Sequence, residues 1–199
     1  MRMGAVLMAS GAATRFGSNK LLYPIDGVTM IERTFSAVPA FFFEQANVVS
    51  CYPEILSLAA EFGYRPISNP QAAEGQSASV RLGLSPLADM DGVLFTVCDQ
   101  PWLARKSVLR LLEAFSEHPS RICSLGWRGR RGSPTIFPAE LFPALLSLSG
   151  DQKGGVVVQA HQERLYLVEA ASPLELRDVD IPEDSNRLDQ LSPLKTKRV

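Results

Sequence analysis

Short apolar runs recur along this chain, and most are separated from the next by a stretch whose apolar residues fall at helical spacing. The pattern predicts strands over 3–8, 45–51, 64–67, 93–98, 121–125, 133–137, 164–169 and 176–179. Helices are expected over 28–38, 53–62, 76–87, 107–115 and 138–148, with Pro143 as a kink or boundary in the last, and a final helical piece over 184–191. Segments of period 2 and period 3.6 that alternate in this way call for an α/β fold with a mostly parallel sheet. The 199 residues, 46% of them apolar, suit one domain with a sizeable core. Neither a repeat nor a low-complexity linker marks a boundary, so the domain is expected over 1–191, and the basic end 192–199 is expected to fray.

Net charge is −1, so bulk attraction to nucleic acid or an anionic membrane is not implied. No apolar run approaches the ~20 residues that span a bilayer. Any anion site must therefore be a local cluster. Cys51, Cys98 and Cys123 are odd in number and lack zinc-ligand spacing, which reads as buried thiols in a reducing, cytoplasmic setting. His118 and His161 stand alone and read as ordinary helix-end residues. The start carries Arg2 but no long apolar core with a cleavage site, so it reads as a first strand and not as a signal peptide.

Directly after the first apolar run comes Ala9-Ser10-Gly11-Ala12-Ala13-Thr14-Arg15-Phe16-Gly17-Ser18-Asn19-Lys20. Small residues let the backbone turn tightly and approach a ligand. Exposed backbone N–H groups in such a turn attract anions. Arg15 and Lys20 add two positive charges suited to phosphate. The stretch is neither a Walker loop nor Gly-x-Gly-x-x-Gly, and a plain strand-to-loop turn satisfies the same residues. Further on, Asp99 closes the clearest apolar strand just before Pro101, at the end where an α/β sheet places ligands. A carboxylate buried there needs a charged partner; capping the next helix is the other reading. Asp178 and Asp180 would share one face of a late strand. Arg128, Arg130 and Arg131 form a second basic cluster, read either as a hold for a phosphorylated group or as a solvated hairpin tip.

The frame Gly11-x-x-x-Arg15-x-Gly17-x-x-Lys20-Leu21-Leu22 after a strand resembles the signature loop of the MobA-like nucleotidyltransferases, and within them it is most similar to the molybdenum cofactor cytidylyltransferases. Similar stretches continue through most of the chain: Asn69-Pro70, Gly75-Gln76-Ser77-x-Ser79, Val97-Cys98-Asp99-Gln100-Pro101, Gly132-Ser133-Pro134, Gly150-Asp151 and Asp178-Val179-Asp180-Ile181-Pro182. The resemblance implies a single-domain, Rossmann-like three-layer sandwich of the nucleotide-diphospho-sugar transferase, or GT-A-like, kind. It implies transfer of CMP from CTP to the phosphate of molybdenum–molybdopterin, with release of pyrophosphate.

By the same resemblance, Arg15 and Lys20 would be catalytic, and Ala9, Ser10, Gly11, Arg15, Lys20, Asn69, Gly75, Gln76, Ser77 and Ser79 would bind the nucleotide. Asp99 and Asp180 would hold Mg²⁺, while Gln100, Pro101, Ser133, Pro134, Gly150 and Asp151 would face the acceptor. The implied partners are CTP, a molybdopterin-type phosphate acceptor and a molybdenum hydroxylase, with neither nucleic acid nor membrane. Two departures keep other readings open. Ile181 stands where the family's acidic motif continues with Thr, and Gln152-Lys153-Gly154-Gly155 follows Gly150-Asp151 where the family carries a Gly, a small residue and an Arg. A guanylyltransferase or sugar-phosphate nucleotidyltransferase of the same fold, or a non-catalytic cofactor-delivery protein, would share the loop and Asp99.

Overall fold

The first strand, β1 (Met3–Met8), places Ala5 and Leu7 in one apolar core and Val6 in another. Successive side chains on a strand point to opposite faces, so a strand buried on both needs cover on both. The structure, a computed structural model, describes residues 1–11 and 19–180. The chain continues through a small hairpin, β2 (Pro24–Ile25) and β3 (Val28–Thr29), into α1 (Met30–Ala37), β4 (Gln45–Ser50), α2 (Pro53–Glu61), β5 (Arg65–Ser68), α3 (Gln76–Leu84), β6 (Gly92–Val97) and α4 (Arg105–Glu117). Then follow β7 (Ile122–Trp127), β8 (Arg130–Pro138), α5 (Phe142–Leu146), α6 (Gly154–Ala160) and β9 (Leu165–Glu169).

Seven strands make one sheet in the order β5-β4-β1-β6-β8-β7-β9. The pairs β1–β4, β1–β6, β4–β5 and β7–β9 are parallel, while β8 runs antiparallel to β6 and β7. Ile31 of α1, Ile55 of α2 and Leu111 of α4 pack with Leu7, Val48 and Leu94 on one face. Leu84 of α3, Leu145 of α5 and Val157 of α6 pack with Val6, Val49 and Val93 on the other. The mostly parallel, three-layer α/β arrangement expected from the alternating periods is the one observed.

Two features of this packing position the site. The chain leaves β1 for β4 and β5 on one side and returns to β6 on the other, so a crevice opens where the carboxyl ends of β1 and β6 diverge. Helix α3 lies unusually close to the sheet. A Cβ on Gly83 would stand 2.3 Å from Val6 Cγ1, and the buried Asn47 side chain donates to the Gly83 carbonyl at 2.9 Å. That approach brings the start of α3 to the crevice.

The structure moves several expected boundaries. Asp26 and Gly27, at φ 50° and 79°, turn the first hairpin, so Val28 and Thr29 pair back on Ile25 and Pro24. The helix expected over 28–38 therefore starts at Met30, with Thr29 and Glu32 in a reciprocal capping box. The hairpin tip, one reading of the basic cluster, narrows to Arg128 and Gly129, at φ 49° and 77°, because Arg130 and Arg131 already pair in β8. Pro143 falls in the first turn of α5, where it forfeits no helical hydrogen bond, so it opens that helix and kinks none.

No strand forms over 176–179. Pro173–Leu176 is a 3₁₀ turn capped by Ser172, and the buried Glu175 carboxylate accepts from the backbone N–H groups of Ala104 and Ala171. Asp178 and Asp180 consequently do not share a strand face. Cys51 is exposed at the end of β4, against the expectation of a buried thiol, whereas Cys98 and Cys123 are buried. His118 and His161 do end α4 and α6. Arg15, Gly17, the helix expected over 184–191 and the end 192–199 lie outside the described residues. Among the described residues no helix is long and apolar enough to cross a membrane.

Candidate active site

The end of β1 is tied to its neighbours by a buried polar chain. Ala9 N–H donates to the Val49 carbonyl at 2.8 Å, and the Ser10 hydroxyl donates to the same oxygen at 3.2 Å. Asn69, fully buried at the end of β5, donates its amide to Ser10 Oγ at 3.3 Å and to Ser79 Oγ at 3.0 Å. Buried polar groups are costly unless paired, so this set fixes Ser10 and Ser79 in place.

The start of α3 is built without a side-chain cap. Its N-cap is Gly75 at φ 110°, and a Cβ there would stand 2.4 Å from the Gly150 carbonyl oxygen, so no other residue fits. Ser77 N–H donates to that carbonyl at 3.3 Å. The Ser77 hydroxyl accepts from Arg81 at 3.0 Å and caps nothing, and Arg81 also donates to the Leu148 carbonyl. Residues 75–81 are thus locked to the loop that carries Gly150 and Asp151.

Opposite them, Lys20 opens a 3₁₀ turn, Lys20–Leu22, which Asn19 caps and Leu21 anchors in the core. Its ammonium donates to Asp99 Oδ2 at 2.8 Å, to Asp180 Oδ1 at 3.2 Å and to the Val179 carbonyl at 3.4 Å. Asp99 sits just beyond β6, and Val179 N–H donates to its carbonyl at 2.9 Å, which brings the late acidic segment to the crevice. Helix α4 begins at Arg105 with Ala104 as its N-cap, so Asp99 does not cap it. Asp99 Oδ1 is buried with no hydrogen-bond partner. Burial alone would lower the Lys20 pKa; the hydrogen bond and charge of Asp99, reinforced by Asp180, outweigh it and raise the pKa.

Two adjoining cavities occupy this end of the sheet. The first, about 200 Å³, is lined by Ser10, Gly11, Lys20, Gly75, Gln76, Ser79, Asp99 and Asp151. The second, about 420 Å³, is lined by Gln76, Gln100, Arg131, Ser133, Lys153 and Asp178, with an apolar floor that includes Phe95 and Phe137. Met8, Gln76 and Val97 line both. Asn69 and Ser77 stand behind the first cavity, Ala9 is buried backbone beside it, and Gly150 presses on Gly75. Pro101 and Pro134 are buried and line neither cavity. Asp180 is exposed, its side chain at 62%.

Lys153 and Asp178 line the second cavity although the sequence motifs assign them no site role, and of the three clustered arginines Arg131 is the one that lines it. A signal for Arg131 exists: Arg131, Ser133, Thr135 and Phe137 alternate along β8, so they share one face. Asp178 accepts from the buried Gln100 amide at 2.9 Å, and partial burial, reinforced by the charges of Asp99 and Asp180, raises its pKa.

A Rossmann-like sheet whose switch-point crevice holds a lysine and two carboxylates beside a polar pocket defines a nucleotide-handling α/β protein. The chain belongs to the MobA-like NTP transferase family, whose domain matches residues 5–165, and it is a nucleotidyltransferase of that kind. It is 26% identical to the purine catabolism protein PucB of Bacillus subtilis over 191 residues, covering 90% of this chain and 92% of that one. It is 27% identical to the molybdenum cofactor guanylyltransferase of Rhodobacter capsulatus over 120 residues, covering 59% and 62%. Among solved structures, a nucleotidyl transferase from Methanothermobacter superposes with a TM-score of 0.79 at 27% identity, covering 96% of this chain and 97% of that one. A synthetase for CMP-2-keto-3-deoxy-manno-octonic acid, solved with CTP, shares the fold at a TM-score of 0.71 and 14% identity, covering 96% and 98%.

Proposed function

We propose that this chain transfers CMP from CTP to the phosphate of a molybdopterin-type acceptor and releases pyrophosphate. The observation that carries this reading is the pair of joined cavities: one holds Lys20 and Asp99 beside Ser10, and the other holds Gln100, Ser133 and two basic residues. Two substrates of unequal size, meeting at Met8, Gln76 and Val97, are what a nucleotidyl transfer brings together. The kinship with a molybdenum cofactor guanylyltransferase supports a molybdenum-cofactor acceptor, and a molybdenum hydroxylase is the proposed recipient of the product.

In the proposed reaction an acceptor phosphate oxygen attacks the α-phosphorus of CTP, and the bond to the pyrophosphate oxygen breaks. The acceptor is already ionised, so no general base is assigned. Such a transfer depends on positioning and charge neutralisation. Lys20 is the described residue that neutralises phosphate charge, and Arg15 is proposed to grip the same polyphosphate. Ser10, held by Asn69, faces the base. Gly75, Gln76 and Ser79 line the nucleotide side, while Asp151 closes it from the late loop.

Two carboxylates that converge on one cation, one of them with a buried unpartnered oxygen, fit a hard cation with oxygen ligands. Asp99 and Asp180 would hold Mg²⁺, which when bound neutralises phosphate charge. No cluster of three or more acidic, His or Cys ligands occurs among the described residues, so phosphate and water oxygens would complete the ligand set.

The test is pyrophosphate release with each common ribonucleoside triphosphate, with and without molybdopterin. Release that needs both CTP and molybdopterin is expected. Equal or better use of GTP replaces this reading with guanylyl transfer, which the kinship also favours. Binding without pyrophosphate release under every combination overturns transfer altogether.

A further inference from the structure

The second cavity contains a cation that its surroundings leave unanswered. Arg131 shares a face of β8 with Ser133, Thr135 and Phe137, so its side chain belongs to that cavity. Arg131 is exposed as a residue, and partial burial on its cavity side lowers its pKa. Yet among the described residues no carboxylate pairs with it and no carbonyl accepts from it. Asp178 lines the same cavity but is bonded to Gln100 instead. A guanidinium on a cavity wall without a protein partner keeps its fork of donors available to an anionic ligand.

The neighbourhood is shaped around this side chain. A Cβ on Gly155 would stand 3.1 Å from Arg131 Nη2, so the glycine makes room for the guanidinium. Lys153, two residues earlier, lines the cavity as well. Much of the rest is apolar: Phe95 and Phe137 meet edge to face with centroids 5.8 Å apart, beside Val80 and Leu145. Charge at one place and a large apolar floor elsewhere suit a ligand that is itself divided in this way.

We propose that Arg131, assisted by Lys153, is the phosphate clamp of the second cavity, and that the cavity takes a phosphomonoester whose planar or apolar body lies over Phe95 and Phe137. This rests on reading the cavity as the acceptor side, but it fixes what the acceptor must carry. Arg grips two phosphate oxygens in parallel. A monoester phosphate gripped in this way keeps a third oxygen free to attack.

Steady-state kinetics with CTP and molybdopterin form the first arm. Arg131→Gln should raise the acceptor KM by about 10- to 100-fold, the scale of losing charge-assisted hydrogen bonds. The KM for CTP should stay unchanged, and Arg131→Lys should recover part of the loss. The second arm measures direct binding of 1-naphthyl phosphate and 1-naphthol by their fluorescence, with thermal melting to verify folding. The phosphate ester should bind wild type and Lys20→Met alike. It should bind Arg131→Gln and Gly155→Val at least about tenfold more weakly, and naphthol should bind less tightly than its phosphate. If molybdopterin is not used but naphthyl phosphate binds through Arg131, the clamp stands and the molybdopterin reading falls. Equal naphthyl phosphate binding by wild type and Arg131→Gln, or none by wild type, overturns the clamp.

Discussion

Lys20 and Asp99, 79 residues apart in the chain, meet at 2.8 Å with side chains only 12% and 23% exposed. The lysine that the proposed function sets against phosphate is, in the free protein, already bonded to the carboxylates proposed for the cation. Phosphate and metal must therefore both be accommodated by rearranging one ion cluster.

Removing the ammonium should free the carboxylates. Lys20→Met is expected to bind Mn²⁺ at least about tenfold more tightly than wild type when no nucleotide is present, because the resident positive charge no longer competes. The same variant should lose turnover by ~10²-fold or more, as on removal of a preorganised charge. A Mn²⁺ titration followed by electron paramagnetic resonance checks the first effect. Equal affinity in both proteins would show that Lys20 does not compete for the cation.

The same pair sets an alkaline limit. Folding raises the Lys20 pKa above its ordinary 10.5, so the folded state favours the charged amine. The stability that this contributes is fully present below pH 10.5 and is lost as pH rises through the folded value. Thermal melting of wild type and Lys20→Met should show their difference shifting toward the variant above pH 10.5. A difference that stays constant through that range refutes the linkage.

Gly75→Ala should damage the nucleotide cavity directly. It puts a Cβ into the Gly150 carbonyl and forces a side chain onto φ 110°. Strain of this sort costs on the order of 1–3 kcal/mol. Calorimetry should show weakened CTP binding together with a lowered melting temperature, and unchanged values for both would contradict the close packing.

The choice of base is expected to run through Ser10. Ser10 lines the first cavity and is held by Asn69, so its hydroxyl and Cβ would narrow the space for a base bound there. CTP should be preferred over GTP, and Ser10→Gly should relax the preference. The ratio of kcat/KM for the two nucleotides with one acceptor is the measurement, and a ratio that Ser10→Gly leaves untouched removes Ser10 from base selection.

Thiol reactivity gives an independent check on the fold. Burial pushes the Cys123 pKa up to about 12 and also raises that of Cys98, whereas Cys51 is exposed. A colorimetric thiol reagent should modify one cysteine in the native protein and all three after denaturation. Rapid native modification of more than one would show that the sheet opens readily.

The parallel half of the sheet was legible because its period-2 and period-3.6 segments report burial directly, and Asp99 was legible because a carboxylate closes a fully apolar run. The late segment was not. Leu176-Arg177-Asp178-Val179 alternates like a strand, yet Pro173 and the buried Glu175 dictate a 3₁₀ turn, and only tertiary hydrogen bonds show that. Which arginine of the basic cluster meets a cavity was hidden for a similar reason. The cluster looks like a solvated tip until the register of β8 separates Arg128, in the turn, from Arg131, over a cavity. Position along a strand decided which arginine faces inward, and composition carries no such information.

The contact between Gly75 and the Gly150 carbonyl also bears on how the protein becomes competent during synthesis. A ribosome delivers β1, Lys20, α3, β6 and Asp99 long before residues 150 and 180 emerge. The pocket wall formed by Asp151 and the second carboxylate at Asp180 arrive only at the end. A nascent chain halted ahead of Gly150 would own the parallel half of the sheet and still lack a closed nucleotide cavity, so premature termination yields a protein that cannot sequester nucleotide.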